Sequence, residues 1–175
     1  YFLNKRFKMI KEAMQDDNNI LDRSIYEDEL FMKMNTEMGN ATKVEYQIYQ
    51  SLLANMMQEL PFAAKKKSPD LMITIHVSYE TMIKRITKRG RDYELVENDP
   101  SLVSYYKKLL KYYDEWIEAY SVSPLLVIDG DQFDFVGNIS DKIAVLELIE
   151  NELYKLGKLT DNQLDSLKKE HEKQL

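Results

Sequence analysis

Two short apolar runs constrain the fold of this chain more than any other feature. Residues 71–77 and 125–131 are rich in Leu, Ile and Val, and the second run ends in acidic residues. Short runs of this kind, alternating with segments of helical spacing, are typical of buried parallel strands. A third run, 20–22, lies between turn-forming residues and predicts another strand. We therefore expect an α/β fold of three layers, with a central parallel sheet and helices on both faces.

Between these runs, apolar residues return every three or four positions, which predicts helices. The predicted helices cover residues 1–15, 25–34, 43–59, 79–89, a long segment that starts at Asp99-Pro100, and 140–156. Pro61 and the basic segment 65–69 are predicted to form a loop. We expect one domain over residues 1–157, followed by a charged helical tail over 158–175. The only clear anchors of the tail are Leu159, Leu164 and Leu167, and a frayed, solvated helix is expected there.

Composition excludes several classes of protein. The 175 residues carry 24 Lys and Arg against 30 Asp and Glu, so the formal net charge is −6 and binding to polymeric nucleic acid or an anionic membrane is disfavoured. The chain has no Cys, which excludes disulfides, thiolate nucleophiles and Cys-ligated zinc. It shows no secretion signal and no apolar run long enough to span a membrane. A cytoplasmic location is expected.

One basic cluster stands out in this acidic chain. Residues 84–91 carry five positive charges, and Arg85 and Arg89 share a helix face, while Gly90 ends the helix before Arg91. Guanidinium groups form bidentate, charge-assisted hydrogen bonds with phosphoryl oxygens, so the cluster suits a polyphosphate. The alternative is an ordinary solvated basic face.

Further polar residues follow the predicted strands, where ligands bind in parallel sheets. Asp22 can hold Mg²⁺ through water and Arg23 can reach a phosphate, although the two could equally form an ion pair that caps the next helix. Arg6 and Asp28 lie among aromatic residues and could bind the edge of a nucleobase. They could also be a structural pair between two helices.

Three blocks together carry a family resemblance. Residues 19–28, 70–82 and 84–94 resemble, in order and spacing, the deoxynucleoside kinase family, and most closely the bacterial deoxyadenosine and deoxyguanosine kinases. The resemblance covers about residues 1–156. It implies a P-loop kinase-type fold and transfer of the γ-phosphoryl group of ATP, with Mg²⁺, to the 5′-hydroxyl of a purine deoxynucleoside in deoxynucleotide salvage.

The resemblance also implies roles for individual residues. Asp22 corresponds to the acid that supports Mg²⁺, and Arg23 to the arginine that contacts the 5′-oxygen and the phosphates. Arg6 and Asp28 correspond to the pair that binds the base, and Glu94 to the acid that binds the sugar 3′-hydroxyl. The lid arginines that close on the ATP phosphates correspond to Arg85, Arg89 and Arg91, of which Arg85 also stacks on adenine. The loop that lines adenine corresponds to Asp131, Gln132 and Phe133.

Two family features have no counterpart in these residues. None of the five glycines stands in a P-loop pattern before Lys-Ser or Lys-Thr, and the strand that carries the glutamate general base is missing. The sequence therefore predicts the C-terminal three-quarters of a kinase, which is not efficient in catalysis alone. Alternatives are a nucleoside monophosphate kinase of the thymidylate type and a truncated, non-catalytic partner subunit. We expect a homodimer, or a heterodimer with a related kinase subunit.

Overall fold

The computed structural model describes residues 1–16, 18–63 and 68–174, without the side chains of 60–63. Their helices and strands are, in chain order, α1 (Phe2–Ala13), α2 (Ile25–Glu37), α3 (Lys43–Ala63), β1 (Met72–His76), α4 (Tyr79–Arg89), a 3₁₀ turn (Asp92–Glu94), α5 (Ser101–Ala119), β2 (Leu125–Asp129), α6 (Ile139–Lys155) and α7 (Asp161–Glu172). The chain forms two compact units. The first comprises Tyr1–Pro69 and Ser104–Ala119, and the second comprises Asp70–Val103 and Tyr120–Leu175.

The first unit is built from helices whose apolar stripes pack on one another. Leu3, Ile10 and Ile25 form one buried cluster, against which Phe7 and Met56 pack. A second cluster joins α2 to α5 and contains Leu30, Met34 and Tyr112. The spacing of Leu3, Phe7, Ile10 and Met14, which predicts the first helix, thus corresponds to its buried face. Burial of these side chains holds α1, α2 and α3 together.

The second unit contains the sheet. Strands β1 and β2 pair in parallel, from Met72 opposite Leu125 to His76 opposite Asp129. Ile128 is buried, whereas Ile73, Ile75 and Val127 are 39%, 49% and 45% exposed. The prediction that the first of these strands is buried on both faces is therefore wrong, because alternate side chains of a strand point to opposite faces and only one face is covered.

The predicted strand at 20–22 is also wrong. The segment has no strand geometry, and Ile20 is 98% exposed. A strand is defined by hydrogen bonds to a neighbour, and the sheet in the described part of the chain joins only β1 and β2. An apolar composition alone does not supply that neighbour. The predicted α/β class, with a parallel sheet and helices, is confirmed.

The end of helix α3 differs from the one predicted. Helix α3 continues through Pro61 to Ala63, instead of giving way to a loop at Pro61. Pro61 lacks the N–H for one backbone hydrogen bond of the helix, and the helix ends two residues later. The basic part of the predicted loop, residues 65–67, lies outside the described residues, as do Asp17 and the side chain of Leu60.

The tail is not solvated along its length. Helix α7 contacts α6, and its Leu164 and His171 are buried. The Nε2 atom of His171 lies 2.9 Å from the Oε1 atom of Glu150, which is buried on α6. Leu164 and the His171–Glu150 pair therefore attach the tail to the second unit. None of the described helices has the length and apolar character needed to cross a bilayer.

Candidate functional site

An ion pair between α1 and α2 is the best-defined polar feature of the first unit. The Nε atom of Arg6 donates to Oδ2 of Asp28 over 2.7 Å, and these side chains are only 17% and 10% exposed. Burial raises the pKa of the Asp28 carboxyl, and the hydrogen bond and positive charge of Arg6 oppose that rise. The packing of α1 on α2 thus brings this predicted pair together.

A second carboxylate, Glu27, lies beside this pair and is missed by the sequence reasoning. Burial is the main reason that the pKa of Glu27 is raised, with Arg23 opposing the rise and Asp28 adding to it. Glu27 accepts a hydrogen bond from the backbone of Ser24, and the Ser24 hydroxyl caps α2 by accepting from the backbone N–H of Tyr26. The Ser-x-x-Glu spacing identifies Glu27 as a helix-cap residue, and the tertiary packing is what shows its burial.

Asp22 and Arg23 lie in the bend before α2, and both are exposed. The backbone of Arg23 has a φ of +66°, a left-handed conformation that is costly for a residue other than glycine. The guanidinium carbon of Arg23 is 5.3 Å from the centroid of the Phe31 ring, a cation–π contact. The positive charge of Arg23 acts on the carboxylates of Glu27 and Asp28, which follow on α2.

The basic cluster, residues 84–91, lies on the last part of α4 and directly beyond it, as the sequence predicts. Helix α4 ends at Gly90, whose φ of +68° turns the chain so that Arg91 lies beyond the helix. The Nη2 atom of Arg89 lies 2.5 Å from Oε2 of Glu94, and Nη1 of Arg91 lies 3.4 Å from Oε1 of the same carboxylate. Glu94 is 19% exposed, whereas Arg89 and Arg91 are about half exposed. One carboxylate thus binds two of the three predicted lid arginines.

The third lid arginine, Arg85, has different partners. Its Nη2 atom donates to the carbonyl oxygen of Gly130 over 2.5 Å and to that of Phe133 over 3.0 Å. Its guanidinium carbon lies 5.7 Å from the centroid of the Phe135 ring. Arg85 therefore contacts the loop after β2, whereas Arg89 and Arg91 contact an acidic side chain.

That loop, residues 129–135, is also held at its start. Oδ1 of Asp129 accepts from the backbone N–H of Asp131 over 2.9 Å, and Oδ2 accepts from Nε2 of Gln132 over 2.6 Å. The Asp131 carboxylate accepts from the backbone N–H and the hydroxyl of Ser78, the N-cap residue of α4. A hydrogen bond from the Thr81 side chain is the main cause of the lowered pKa of Asp131. Asp131 therefore joins the loop to the start of α4.

Gly130 allows the loop to pass close to β1. Its N–H donates to the carbonyl oxygen of His76 over 2.7 Å. A Cβ atom at this position would lie 2.7 Å from Cγ1 of Val77 and 3.0 Å from Cγ2 of Ile75. Only glycine fits at such a close approach of two backbone segments.

The predicted site residues thus form two groups, one in each unit. Arg6, Asp22, Arg23 and Asp28 belong to the first unit, together with the missed Glu27. Arg85, Arg89, Arg91, Glu94, Asp131, Gln132 and Phe133 belong to the second. Within the described residues there is no cluster of three or more His, Asp or Glu side chains that could hold a metal ion by itself.

Comparisons with known proteins agree on one family. The family model described as deoxynucleoside kinase matches residues 1–155. The chain is 52% identical over 169 residues to a deoxyguanosine kinase of Lactobacillus johnsonii, covering 97% of this chain and 75% of that protein. It is 50% identical over 159 residues to a deoxyadenosine kinase of Lactobacillus acidophilus, covering 91% of this chain and 74% of the relative.

A solved structure extends the comparison to the fold. The deoxyadenosine kinase from M. mycoides with bound dATP superimposes on the chain with a TM-score of 0.65 at 31% sequence identity. The superposition covers 88% of this chain and 71% of that one. The resemblance that residues 19–28, 70–82 and 84–94 indicate is thereby confirmed.

Proposed function

Since the chain belongs to the deoxynucleoside kinase family, we propose that it transfers the γ-phosphoryl group of ATP to the 5′-hydroxyl of a purine deoxynucleoside, either deoxyguanosine or deoxyadenosine. Relatives of about 50% identity carry these two names, which supports a purine substrate. The reaction is catalysed mainly by positioning and by neutralisation of phosphate charge. The part of the chain that provides the kinase is residues 1–157, with 158–175 as its tail.

The Arg6–Asp28 pair is the observation that carries this proposal. An arginine donates hydrogen bonds and an aspartate accepts them, so the pair complements the mixed donor and acceptor edge of a purine. Low exposure strengthens such hydrogen bonds, because water competes less well. We assign base binding to this pair and binding of the sugar 3′-hydroxyl to Glu94.

Phosphate binding is assigned to exposed arginines. Arg23 lies at the surface before α2 and contacts the 5′-oxygen and the phosphates, while Arg89 and Arg91 close on the triphosphate. Arg85, on the same helix as Arg89, is placed with the adenine side of ATP, beside the loop of Asp131, Gln132 and Phe133.

Mg²⁺ is assigned to the exposed carboxylate of Asp22. One carboxylate together with substrate phosphates and waters is a usual Mg²⁺ site in phosphoryl-transfer enzymes, so a single acid fits this ion. When bound, Mg²⁺ neutralises charge on the β- and γ-phosphates. Asp22 orients the ion through water, next to the guanidinium group of Arg23.

The proposal also covers the oligomeric state and the cellular location of the protein. Val44, Ile48 and Leu52 share one face of α3 and are 62%, 62% and 45% exposed, which supports a dimer with a second copy or a related kinase subunit. The negative net charge supports free nucleosides, rather than polymeric nucleic acid, as substrates. We place the protein in the cytoplasm.

The test is phosphoryl transfer from γ-labelled ATP with Mg²⁺ to each of the four deoxynucleosides, measured with this chain alone and with a P-loop segment of the family joined upstream of it. The following outcomes refer to the joined protein. We expect turnover of a purine deoxynucleoside, with a loss of at least ~100-fold in kcat for Arg23→Ala and no change for Lys8→Ala, an exposed control on α1. Transfer to a deoxynucleoside monophosphate instead would indicate a monophosphate kinase. Absence of transfer to every acceptor would contradict the proposal and favour a non-catalytic subunit.

A further inference from the structure

The three lid arginines are not equivalent in their surroundings. Arg89 and Arg91 are about half exposed and share the carboxylate of Glu94, a partner that a phosphate could replace. Arg85 is more buried than either and binds two backbone carbonyl oxygens. Both carbonyls belong to the loop after β2, so Arg85 joins α4 to that loop. These contacts are those of a residue that stabilises the conformation of the loop after β2.

The two carbonyl oxygens belong to Gly130 and Phe133, which lie at the two ends of the turn in this loop. Gly130 is the first residue after β2, and its N–H is bonded to His76 on β1. Phe133 lies three residues further on, beyond the turn that Asp129 forms with the backbone of Asp131. By donating to both carbonyls, Arg85 closes the loop across this turn, and a planar guanidinium is well suited to such a double contact.

Helix α4 therefore holds the loop at two places. At its start, Ser78 donates to the carboxylate of Asp131, and in its second turn Arg85 donates to Gly130 and Phe133. The loop lies at the carboxyl end of β2, the end of a parallel strand where ligands bind. The position of the loop backbone consequently depends on the helix that also carries Arg89.

We propose that Arg85 is a positioning residue that fixes the shape of the loop 130–133 and thereby determines which nucleobase of the phosphate donor is accepted, adenine over guanine. The inference rests on the proposed function, in which this loop lines the donor base. Arg85 acts on the base through the loop backbone, and Arg89 and Arg91 act on the phosphates. The lid cluster is thus divided between base selection and phosphate binding.

The experiment compares Arg85→Met and Arg85→Lys with the unmutated chain, using ATP and GTP as donors and inorganic tripolyphosphate as a competitive inhibitor. Tripolyphosphate has no base, so its inhibition constant reports phosphate binding alone. We expect both variants to lower the ratio of kcat/KM for ATP to that for GTP by ~10-fold or more. The inhibition constant of tripolyphosphate should stay within about twofold.

Two further variants serve as matched controls. Lys84→Met removes an adjacent, exposed positive charge from α4 and should change neither quantity. Arg89→Met should raise the inhibition constant of tripolyphosphate by ~10-fold or more and leave the ATP to GTP ratio unchanged. Arg85→Lys keeps the charge and the aliphatic stem, so it decides the question if Arg85→Met does not fold.

Either of two results would overturn the proposal. A parallel weakening of ATP, GTP and tripolyphosphate would assign Arg85 to the phosphates, and an unchanged ratio in Arg85→Lys would exclude a role in base selection. Failure of the unmutated chain, joined to an upstream P-loop segment, to phosphorylate any deoxynucleoside would instead contradict the proposed function. In that case, calorimetric titration with ATP, GTP and tripolyphosphate tests Arg85 by the same criteria.

Discussion

Each unit of the molecule contains a pair of the same chemical type, an arginine with a carboxylate. In the first unit, Arg6 and Asp28 lie 2.7 Å apart with side chains 17% and 10% exposed. In the second unit, Arg89 and Glu94 lie 2.5 Å apart, but the arginine is 49% exposed. The distances are similar, so burial is the main difference between the two pairs.

Burial determines how easily a pair can exchange partners. An exposed ion pair contributes ~0–1 kcal/mol, because water solvates both charges when they separate. Separation of a buried pair leaves a charge without compensation, at a cost of ~3–5 kcal/mol. Arg6–Asp28, the fixed pair, is therefore harder to separate than Arg89–Glu94, the exchangeable pair. In the proposed function, the fixed pair keeps its geometry while it binds the base, and the exchangeable pair separates so that Arg89 binds a phosphate.

The strongest test of this difference removes one member of the fixed pair. Asp28→Ala leaves the partly buried Arg6 guanidinium without a counter-charge, and we expect the free energy of unfolding to fall by ~3 kcal/mol, the lower end of the cost for a fully buried pair. In a chain of this size, the Tm should decrease by ~6–12 °C, which calorimetry measures. Phosphorylation of purine deoxynucleosides should also be lost. Glu12→Gln, an exposed acid on α1, is the control, and an equal Tm for both variants would contradict the comparison.

The fixed pair is also the part of the site that sequence reasoning predicts best. The sequence predicts that Arg6 interrupts an apolar face formed by Phe2, Met9 and Ala13. That predicted face is wrong, because Phe2 and Met9 are 77% and 48% exposed. Arg6 lies on the side of the buried Leu3 and Ile10, where a charged residue requires a partner. That partner, Asp28, lies in a polar stretch at the start of α2. Glu27 is missed because its spacing from Ser24 is typical of an ordinary helix cap, and only the tertiary packing shows that it is desolvated.

The second-largest expected effect concerns the exchangeable pair, Arg89–Glu94. Arg89→Met removes charge-assisted hydrogen bonds to the triphosphate, each of which contributes ~1.5–3 kcal/mol, so the KM for ATP should rise by ~10-fold to 100-fold. The Tm should change by no more than ~2 °C, because an exposed pair contributes little to stability. Steady-state kinetics and calorimetry measure the two effects. A large loss of stability would mean that this pair is as fixed as Arg6–Asp28.

A substitution of Glu94 tests whether its carboxylate competes with phosphate for Arg89 and Arg91. Glu94→Gln removes the anion that competes with phosphate for Arg89 and Arg91, so tripolyphosphate should bind ~2-fold to 5-fold more tightly, a change below 1 kcal/mol. The KM for the deoxynucleoside should rise, because a contact to the 3′-hydroxyl is weakened. Isothermal titration measures the binding, with the exposed Glu97→Gln as control. Weaker binding of tripolyphosphate would show that Glu94 orients the arginines instead of competing for them.

The fold of the second unit shows where local sequence stops being informative. The bounds 79–89 of α4 follow from a Ser cap, helical spacing and a Gly stop, and all three signals are local. The partners of Arg85 and Asp131 lie 45 and 53 residues away and depend on the pairing of β1 with β2. The segment 20–22 fails as a strand for the same reason, because its composition does not supply a neighbour.

The smallest expected effect concerns Glu27, which lies between the fixed pair and the exposed Arg23. Burial raises its pKa in the folded chain above the ordinary value of 4.5, so ionisation opposes folding once the pH exceeds the unfolded pKa. Glu27→Gln keeps an acceptor for the Ser24 backbone and removes this penalty. We expect its Tm to exceed that of the unmutated chain by ~1–2 °C at pH 7, since the group is partly solvated and the penalty is screened.

The pH dependence separates this effect from a change in packing. Below pH 4 the carboxyl of Glu27 is protonated in both the folded and the unfolded chain, so the advantage of Glu27→Gln should disappear there. As the pH rises from 4.5 through the raised pKa of the folded state, the advantage should grow and then become constant. Calorimetric scans at several pH values measure it. An advantage that is the same at all pH values would indicate a packing effect, and a lower Tm at pH 7 would mean that the Arg23 and Arg6 charges outweigh the cost of burial.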